Sequence, residues 1–383
     1  MELTILMPCL NEAETIERCI AKARNFLETH RVAGEVLVAD NGSADGSIEL
    51  AVAAGARVVS VENKGYGEAL KSGIEAAKSR FVIMGDADDS YDFSAVGGIL
   101  EQLRAGAQLV MGNRFEGGIQ AGAMPFLHRY LGNPVLSFIG RLFYRVPVRD
   151  FHCGMRGFDR SAVQGLGLTM SGMEFASEMV VKSALHNLRI AEVPVTLAPD
   201  GRSRPPHLRT WRDGWRHLRF LLLFSPRWLF LWPGLLLLLL GILGFATVGS
   251  RAVAVGRFGL DIHTLAYAGA AVLMGFQMLL FAFMTKLIGC RGGWLPPDKR
   301  VDRFMIMATL ERLLGVSVLF FVVGGILTYH AVATWAQHEF GALDPSVTMR
   351  WVVPAVTSIA LGGELFLAAF FIEALRLPNR NSQ

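Results

Sequence analysis

The chain has 383 residues, 52% of them hydrophobic and 18% charged, with a formal net charge of +4. This length leaves room for two or three domains. The four cysteines (Cys9, Cys19, Cys153 and Cys290) show neither paired nor metal-ligand spacing, which argues against a disulfide framework and against a zinc site.

The first 113 residues alternate short apolar runs with helical patterns. This βαβα rhythm, with strands buried on both faces, predicts a largely parallel α/β sheet. The predicted strands are LTILMP (3–8), EVLVAD (35–40), ARVVSV (56–61), RFVIMGD (80–86) and AQLVMGN (107–113). The predicted helices cover Glu14 to Thr29, Gly46 to Ala54, 67–78 and 95–103.

Acidic residues follow three of these strands: Glu12, Asp40 and Asp86. In an open α/β sheet, ligands bind beyond the carboxyl ends of the strands, so we expect the three acids to share one crevice. The stretch GDADDSYDF (85–93) adds Asp88 two residues after Asp86. Two such carboxylates can hold a divalent cation that bridges nucleotide phosphates, as Mg²⁺ does.

Other residues near the crevice suit a nucleotide. Asp40 can accept a hydrogen bond from a base, Glu12 can order the base-binding loop, and Gly65 with Gly67 would let the backbone approach the nucleotide closely. Simpler roles stay open for single residues, since Asn11 can cap a helix and Gly65 can merely turn the chain.

After about Arg114 the pattern is irregular until LRIAEVPVTL (188–197), which predicts another strand of the sheet. A helix from about Leu208 to Phe224 then has Trp and Leu on one face and arginines on the other. Its place before an apolar stretch favours a helix in the membrane interface, and its charge favours anionic lipid over nucleic acid. The arginines of this basic stretch are Arg202, Arg204, Arg209, Arg212, Arg216 and Arg219.

Four apolar stretches reach the roughly 20 residues that cross a bilayer. Arg291, Lys299, Arg300 and Arg303 lie between the second and third stretches, on the side that the positive-inside rule makes cytosolic. No signal-peptide pattern opens the chain, so we expect a multi-pass protein of the cell membrane whose catalytic domain and both termini are cytosolic. The expected spans are Trp228 to Val248, Thr264 to Ile288, Leu313 to Trp335 and Trp351 to Ile372.

Several motifs in order resemble the GT-A domain of inverting family-2 glycosyltransferases: P-x-x-N-E (8–12), D-N-G-S-x-D-G-S (40–47), N-x-G-x-G-x-A-L (63–70) and G-D-A-D (85–88). The later stretches GNRF, DFHCGMRGF, MEFASEM and AEVPV are similar to the branch that loads a sugar onto a polyisoprenyl phosphate, namely dolichyl-phosphate mannose or glucose synthases and their undecaprenyl-phosphate relatives. The resemblance covers residues 3 to about 225.

The resemblance implies roles for individual residues. Asp86 and Asp88 would hold the metal, Mg²⁺ or Mn²⁺, and the diphosphate, while Arg114 and Arg129 would hold the acceptor phosphate. The residues implied to bind the nucleotide sugar are Pro8, Asn11, Glu12, Asp40, Asn41, Lys64, Gly65, Asp86, Ala87 and Asp88. Asn41 stands where many relatives have Asp, and Ser90 where many synthases have Gln.

An ionised phosphate acceptor attacks without a general base, so the site needs cations, and arginine suits phosphate oxygens. Arg114, Arg129, Arg156 and Arg202 are the candidates. For Arg156 an alternative stays open, because it can instead pair with Asp150.

The sequence therefore predicts a GT-A domain (1–205), amphipathic interfacial helices (206–227) and a four-helix membrane domain (228–383). The expected function is inverting transfer of a hexose from a UDP-glucose or GDP-mannose type donor to a polyisoprenyl phosphate, with no nucleic-acid partner. A homo-oligomer stays open. Another lipid or polysaccharide acceptor also stays open, although the Q-x-x-R-W element of processive synthases is absent. A nucleotide-sugar-binding transporter or scaffold is the remaining alternative, suggested by Glu364 inside the fourth span.

Overall fold

A computed structural model describes residues 1–203 and 210–376. The chain forms two compact units, Met1–Phe224 and Ser225–Gln383. Arg204, Leu208 and Arg209 of the predicted basic stretch lie outside the described residues, as does the predicted domain boundary at 205/206. The first unit contains the helix that follows this gap, so by compactness the helix groups with the α/β domain.

The first unit is built on a seven-stranded sheet in the order β3-β2-β1-β4-β6-β5-β7. Six strands share one direction, and β6 runs antiparallel between β4 and β5. The predicted largely parallel α/β sheet is therefore confirmed, with one reversed strand added. The strands are β1 (Leu3–Cys9), β2 (Gly34–Asp40), β3 (Arg57–Ser60), β4 (Phe81–Met84), β5 (Leu109–Asn113), β6 (Arg156–Asp159) and β7 (Ile190–Pro194).

Both faces of the sheet are covered by helices. On one face Leu3, Ile5 and Met7 of β1 join a core with the apolar side of α1. On the other face Leu6 lies against Gly73 of α3, where even a Cβ would come within 2.4 Å of its side chain. The helices of this unit are α1 (Ile16–Thr29), α2 (Ser47–Ala53), α3 (Tyr66–Ala76), α4 (Gly97–Arg104), α5 (Arg114–Gly117), α6 (Asn133–Tyr144), α7 (Arg160–Gln164), α8 (Phe175–Leu185) and α9 (Thr210–Leu223).

The region after Arg114 is more regular than expected, since it contains β6, α6 and α8. α8 is buried from Phe175 to Ser183, so it lacks the amphipathic period that marks a helix in a sequence. Within it Glu178 and Lys182 form a buried ion pair at 2.9 Å. The pair is one turn apart, which lets two charged side chains share the interior.

The second unit contains four helices long and apolar enough to cross a membrane, as predicted: Arg227–Val248, Ile262–Arg291, Leu310–Gln337 and Pro345–Arg376. We name the regular α-helical parts α10 (Trp232–Val248), α11 (Ile262–Arg291), α13 (Leu310–Gln337) and α14 (Pro345–Arg376). A short hairpin, β8 (Val253–Val255) and β9 (Phe258–Leu260), precedes α11, and α12 (Lys299–Met307) follows it. Arg350 at the start of α14 pairs with Asp261 before α11.

Candidate active site

The ends of β1 and β2 are joined into one loop surface. β1 carries Pro8, paired in register with Ala39 of β2. Asn11, with φ of 58°, accepts a hydrogen bond from the Ala44 amide at 2.8 Å, and its own amide donates to Ser43 Oγ at 2.8 Å. Asn11 therefore ties two loops together and does not cap α1.

Asp40 ends β2, Asn41 follows it, and both are buried. One Asp40 oxygen accepts from the amides of Gly42 (2.9 Å) and Ser43 (3.1 Å), so the backbone orients this carboxylate. Asn41 accepts from the Gly65 amide at 2.7 Å and donates to Asn63 O at 2.8 Å. An aspartate could not make the second bond, so the amide of Asn41 has a structural role of its own here.

The two glycines of N-x-G-x-G pack closely against another backbone segment of the chain. A Cβ on Gly65 would lie 2.3 Å from Ser171 O, and one on Gly67 would lie 2.3 Å from Met170 O. The close approach that they allow in this structure is that of the 170–171 backbone. That the nucleotide also approaches these glycines closely stays a prediction. Lys64 beside them is exposed.

Buried Glu178 binds the backbone of Thr169 and Met170, beside the contact with the glycines. Its carboxylate accepts from the amides of Thr169 (3.0 Å) and Met170 (2.9 Å). The second glutamate of MEFASEM therefore serves the loop that packs on Gly65 and Gly67.

Asp86 follows β4 at the same edge of the sheet. Its Oδ1 accepts from the Tyr66 hydroxyl at 3.1 Å. Burial, and then the charge of Asp88, raise the pKa of Asp86 to about 6. Tyr66 is not among the residues expected at the site, although its place as the first residue of α3, directly after Gly65, could have indicated it. Between the two aspartates Ala87 is buried, and its carbonyl accepts from Thr15 Oγ1 at 2.7 Å.

Both oxygens of Asp88 have partners. Oδ1 accepts from the Ser90 hydroxyl at 2.6 Å, and Oδ2 accepts from Arg202 Nη2 at 3.0 Å. Arg202 also bonds Glu12 at 3.1 Å and Asp200 at 2.9 Å. Arg202 thus brings Glu12 and Asp88 together, and three carboxylates surround one guanidinium.

This donor set fits a divalent cation that takes further ligands from a substrate. Within residues 1–203 and 210–376 no group of three or more His, Cys, Asp or Glu side chains is arranged to hold a metal alone. Mg²⁺ typically takes one or two protein carboxylates and completes its shell with phosphate oxygens and water. Asp86 and Asp88 supply such a pair.

A cavity of about 370 Å³ opens beside this acidic group. It is lined by Asn11, Glu12, Glu14, Ala44, Asp45 and Arg202. Two residues expected to bind the nucleoside, Asn11 and Glu12, therefore face the same space as Arg202.

Arg114 occupies a different position from the one expected of a phosphate ligand. It is buried, and its Nε and Nη2 donate to the two oxygens of buried Asp150 at 2.6 and 2.7 Å. The alternative pairing of Asp150 with Arg156 is wrong. Arg156 instead donates to the carbonyls of Ala176 (2.8 Å) and Cys153 (2.6 Å).

Arg129 lies in a π-helical turn, His128–Gly132, with its guanidinium 5.6 Å from the ring centre of Tyr130. In the described part of the chain no carboxylate lies within ion-pairing distance of it. Burial and the charge of Arg114 lower the pKa of neighbouring His128, which places this turn near Arg114.

Comparison with known proteins matches residues 4–167 to the model of glycosyl transferase family 2 and residues 283–376 to that of the glycosyltransferase family 2 C-terminal transmembrane region. The chain is 35% identical to the low-salt glycan biosynthesis hexosyltransferase Agl6 of Haloferax volcanii, over 97% of this chain and 89% of that protein. It is 29% identical to a dolichyl-phosphate hexose transferase of the same organism, over 51% and 82%.

Among solved structures, glucosyl-3-phosphoglycerate synthase of Mycobacterium tuberculosis, in complex with Mn²⁺, UDP-glucose and phosphoglyceric acid, matches 58% of this chain and 77% of its own, with a TM-score of 0.46 and 24% identity. That likeness is too distant to transfer its ligands. The family models and the full-length likeness to Agl6 agree with the sheet and the four membrane helices, and they show that this chain belongs to glycosyltransferase family 2.

Proposed function

We propose that this glycosyltransferase transfers a hexose, with inversion, from a UDP-glucose or GDP-mannose type donor to a polyisoprenyl phosphate. The observation that carries the proposal is the Asp86–Asp88 pair at the carboxyl edge of the sheet, facing Arg202 and the Glu12 loop. The name of one relative, a dolichyl-phosphate hexose transferase, supports the acceptor class.

In the proposed donor site Asp86 and Asp88 hold Mg²⁺ or Mn²⁺. When bound, the cation would neutralise the negative charge of the leaving diphosphate. Tyr66 and Ser90 fix the two carboxylates through hydrogen bonds of 3.1 and 2.6 Å. The Asn11–Glu12 loop, Asp40 and the Asn41–Gly65 contact shape the nucleoside side of the site.

The acceptor side needs cations and no general base, because a phosphate monoester is already ionised near neutral pH. Of the two arginines expected to bind it, Arg129 is the better candidate for direct contact. Arg114 pairs with Asp150, so we assign it a structural role in holding the acceptor side of the site together.

We place the catalytic unit and both termini on the cytosolic side. Support comes from the basic residues between α11 and α13, namely Arg291, Lys299, Arg300 and Arg303, as opposed to Glu339 and Asp344 between α13 and α14.

The test incubates the purified full-length chain and Mn²⁺ with radiolabelled UDP- and GDP-sugars and either undecaprenyl or dolichyl phosphate. We expect one donor to move label into the organic phase, and we expect EDTA or Asp88→Asn to abolish it. Label transferred by the Asp88→Asn variant at the parental rate would overturn the proposed metal site.

A further inference from the structure

Helix α8 carries a buried ion pair that takes no direct part in the proposed reaction. The side chains of Glu178 and Lys182 are 0% and 2% exposed, and their charged atoms lie 2.9 Å apart. Burial of two charges costs free energy that their attraction often fails to repay, so stability alone does not explain the pair. The contacts that the pair makes outside α8 indicate its role.

Both members of the pair bind the backbone of the segment that precedes α8. Glu178 accepts from the amide and the hydroxyl of Thr169 at 3.0 and 3.1 Å, and from the amide of Met170 at 2.9 Å. Lys182 donates to the carbonyl of Gly167 at 2.6 Å. This segment has no regular secondary structure. The buried pair therefore fixes a stretch of chain that has no helical or sheet hydrogen bonds of its own.

The fixed segment contacts the chain at Gly65–Tyr66–Gly67. The carbonyl of Ser171 accepts from the Gly67 amide at 2.8 Å. On the other side of the tyrosine, Asn41 accepts from the Gly65 amide at 2.7 Å. Glycine leaves the backbone conformationally free on both sides of Tyr66. Contacts with other parts of the chain must therefore hold Tyr66 in place, and Ser171 supplies one of them.

Tyr66 in turn orients one of the two carboxylates of the candidate metal site. Its hydroxyl donates to Asp86 Oδ1 at 3.1 Å. The other oxygen, Oδ2, lies 2.7 Å from the position that a Cβ on Gly154 would take. The Asp86 carboxylate is thus confined between the Tyr66 hydroxyl and the Gly154 backbone, so its orientation depends on where Tyr66 is held.

We propose that Glu178 and Lys182 are positioning residues of the donor site, which act through the segment 167–171 and Tyr66 on the orientation of Asp86. A ligand that is held in place before the ion arrives loses little conformational freedom on binding, which favours affinity. The inference rests on the proposed function, because it takes Asp86 to be a metal ligand.

The test begins with two variants of the full-length chain. Glu178→Met/Lys182→Met removes both charges together, which avoids leaving one buried charge without its partner. Gly67→Ala disrupts the same contact from the other side and leaves the buried charges in place, because its Cβ would lie 2.3 Å from the Met170 carbonyl oxygen. Melting curves show that each variant is folded.

The matched control removes a different ion pair of the first unit. Glu35→Met/Arg57→Met deletes a pair of 2.9 Å at the beginning of β2 and β3, at the opposite edge of the sheet from Asp86. Two quantities are measured on every chain. Hydrogen–deuterium exchange reports on the peptide that contains Gly67, and the free Mn²⁺ signal in electron paramagnetic resonance reports on the affinity for Mn²⁺ alone.

We expect exchange at Gly67 to be several-fold faster in both test variants and parental in the control, because the bond to Ser171 is lost in the test variants alone. The affinity for Mn²⁺ should fall several-fold in the same two variants. Tyr66→Phe should also weaken Mn²⁺ binding. Adding Glu178→Met/Lys182→Met to Tyr66→Phe should cause no further loss, since the pair acts through the Tyr66 hydroxyl.

Three results would overturn the proposal: parental exchange at Gly67 in folded Glu178→Met/Lys182→Met, parental Mn²⁺ affinity in Gly67→Ala, or the same loss of affinity from the pair variant with and without Tyr66→Phe. A parent chain that binds no Mn²⁺ would instead contradict the proposed metal site. Exchange at Gly67 would then still decide whether the buried pair positions this stretch.

Discussion

Arg202 occupies the place beside Asp88 where a cation is expected. Its guanidinium contacts Asp88, Glu12 and Asp200 at 2.9 to 3.1 Å. A metal ion that approaches the same Asp88 oxygen must therefore compete with this side chain.

Removing Arg202 should consequently strengthen metal binding in the absence of nucleotide. We expect Arg202→Gln to bind Mn²⁺ several-fold more tightly than the parent, as measured by the free Mn²⁺ signal in electron paramagnetic resonance. Lys22→Gln is the control, because Lys22 pairs at 2.7 Å with neighbouring Asp89 and lacks contact with Asp88. If both variants gained the same Mn²⁺ affinity, the gain would come from the loss of one positive charge and not from the contact between Arg202 and Asp88.

Replacing Arg114 by alanine should lower the stability of the fold, whereas replacing Arg129 by alanine should weaken binding of the acceptor lipid. Arg114→Ala leaves buried Asp150 without its partner, which typically destabilises a fold by about 3–5 kcal/mol. Arg129→Ala should preserve the melting temperature and raise the apparent KM for the lipid phosphate, with little change for the nucleotide sugar. Melting curves and steady-state kinetics of both variants distinguish these two effects. If Arg129→Ala weakened the apparent affinity for the lipid phosphate and for the nucleotide sugar equally, Arg129 would have no specific acceptor role.

His217 of α9 makes the stability of the first unit sensitive to acid. Its Nδ1 lies 2.8 Å from Ser177 Oγ, and burial lowers its pKa from 6.5 to about 4. The charged and titratable groups around it are His152, Glu174, Asp213 and Arg156.

Below pH 6.5 this histidine becomes protonated in the unfolded chain but stays neutral in the folded chain. The free energy of unfolding therefore falls as the pH drops towards 4. The loss amounts to about 2 kcal/mol between pH 7 and pH 5. His217→Gln should show a shallower fall in thermal stability over this range. A variant with the parental slope would assign the acid sensitivity to another group, such as His152.

At the scale of elements, α9 has two different faces. Asp213, His217 and Leu221 are buried in the first unit, while Trp211 and Trp215 are 79% and 57% exposed. The amphipathic helix predicted here is therefore present, and its tryptophans lie on the outward side. This arrangement suits an interfacial helix, in which Trp rings prefer the headgroup layer.

The outward face of α9 can be tested without disturbing its packing. Arg212 and Arg216 flank buried Asp213 at 3.5 and 3.7 Å, so the better choice for charge reversal is exposed Arg219. We expect Trp211→Ser/Trp215→Ser/Arg219→Glu to lower transfer to a long isoprenoid phosphate in membranes more than transfer to a short soluble one. Arg31→Glu, a reversal at another exposed arginine, should leave that ratio unchanged.

The sequence predicts those elements whose apolar residues recur with the regular spacing of a strand, a helix or a membrane span. β1 to β5, β7, the sheet helices and the four spans all follow strand, helix or membrane patterns. β6 is four residues long and opens with a buried arginine, and α8 is buried all round, so neither shows a period. The Arg114–Asp150 pair joins residues 36 positions apart, a contact that no local pattern encodes.

At the scale of the whole molecule, an α/β glycosyltransferase unit and a unit with four candidate membrane helices occupy one chain, in keeping with glycosyltransferase family 2 and its C-terminal transmembrane region. Such a combination suits an enzyme whose donor is soluble and whose acceptor stays in the bilayer. Glu364 of α14 has no part in this scheme, and its Oε2 is buried without a hydrogen-bond partner among the described residues.

The most direct test of the central claim is the structure of the product. The full-length chain is supplied with the preferred α-linked nucleotide hexose, a divalent cation and a polyisoprenyl phosphate, and the extracted lipid is examined by mass spectrometry and by nuclear magnetic resonance of the anomeric centre. We predict one hexose joined through the phosphate in β linkage, as inversion requires. A hexose on any other acceptor group, or an α-linked hexosyl phosphate, would contradict the proposed reaction.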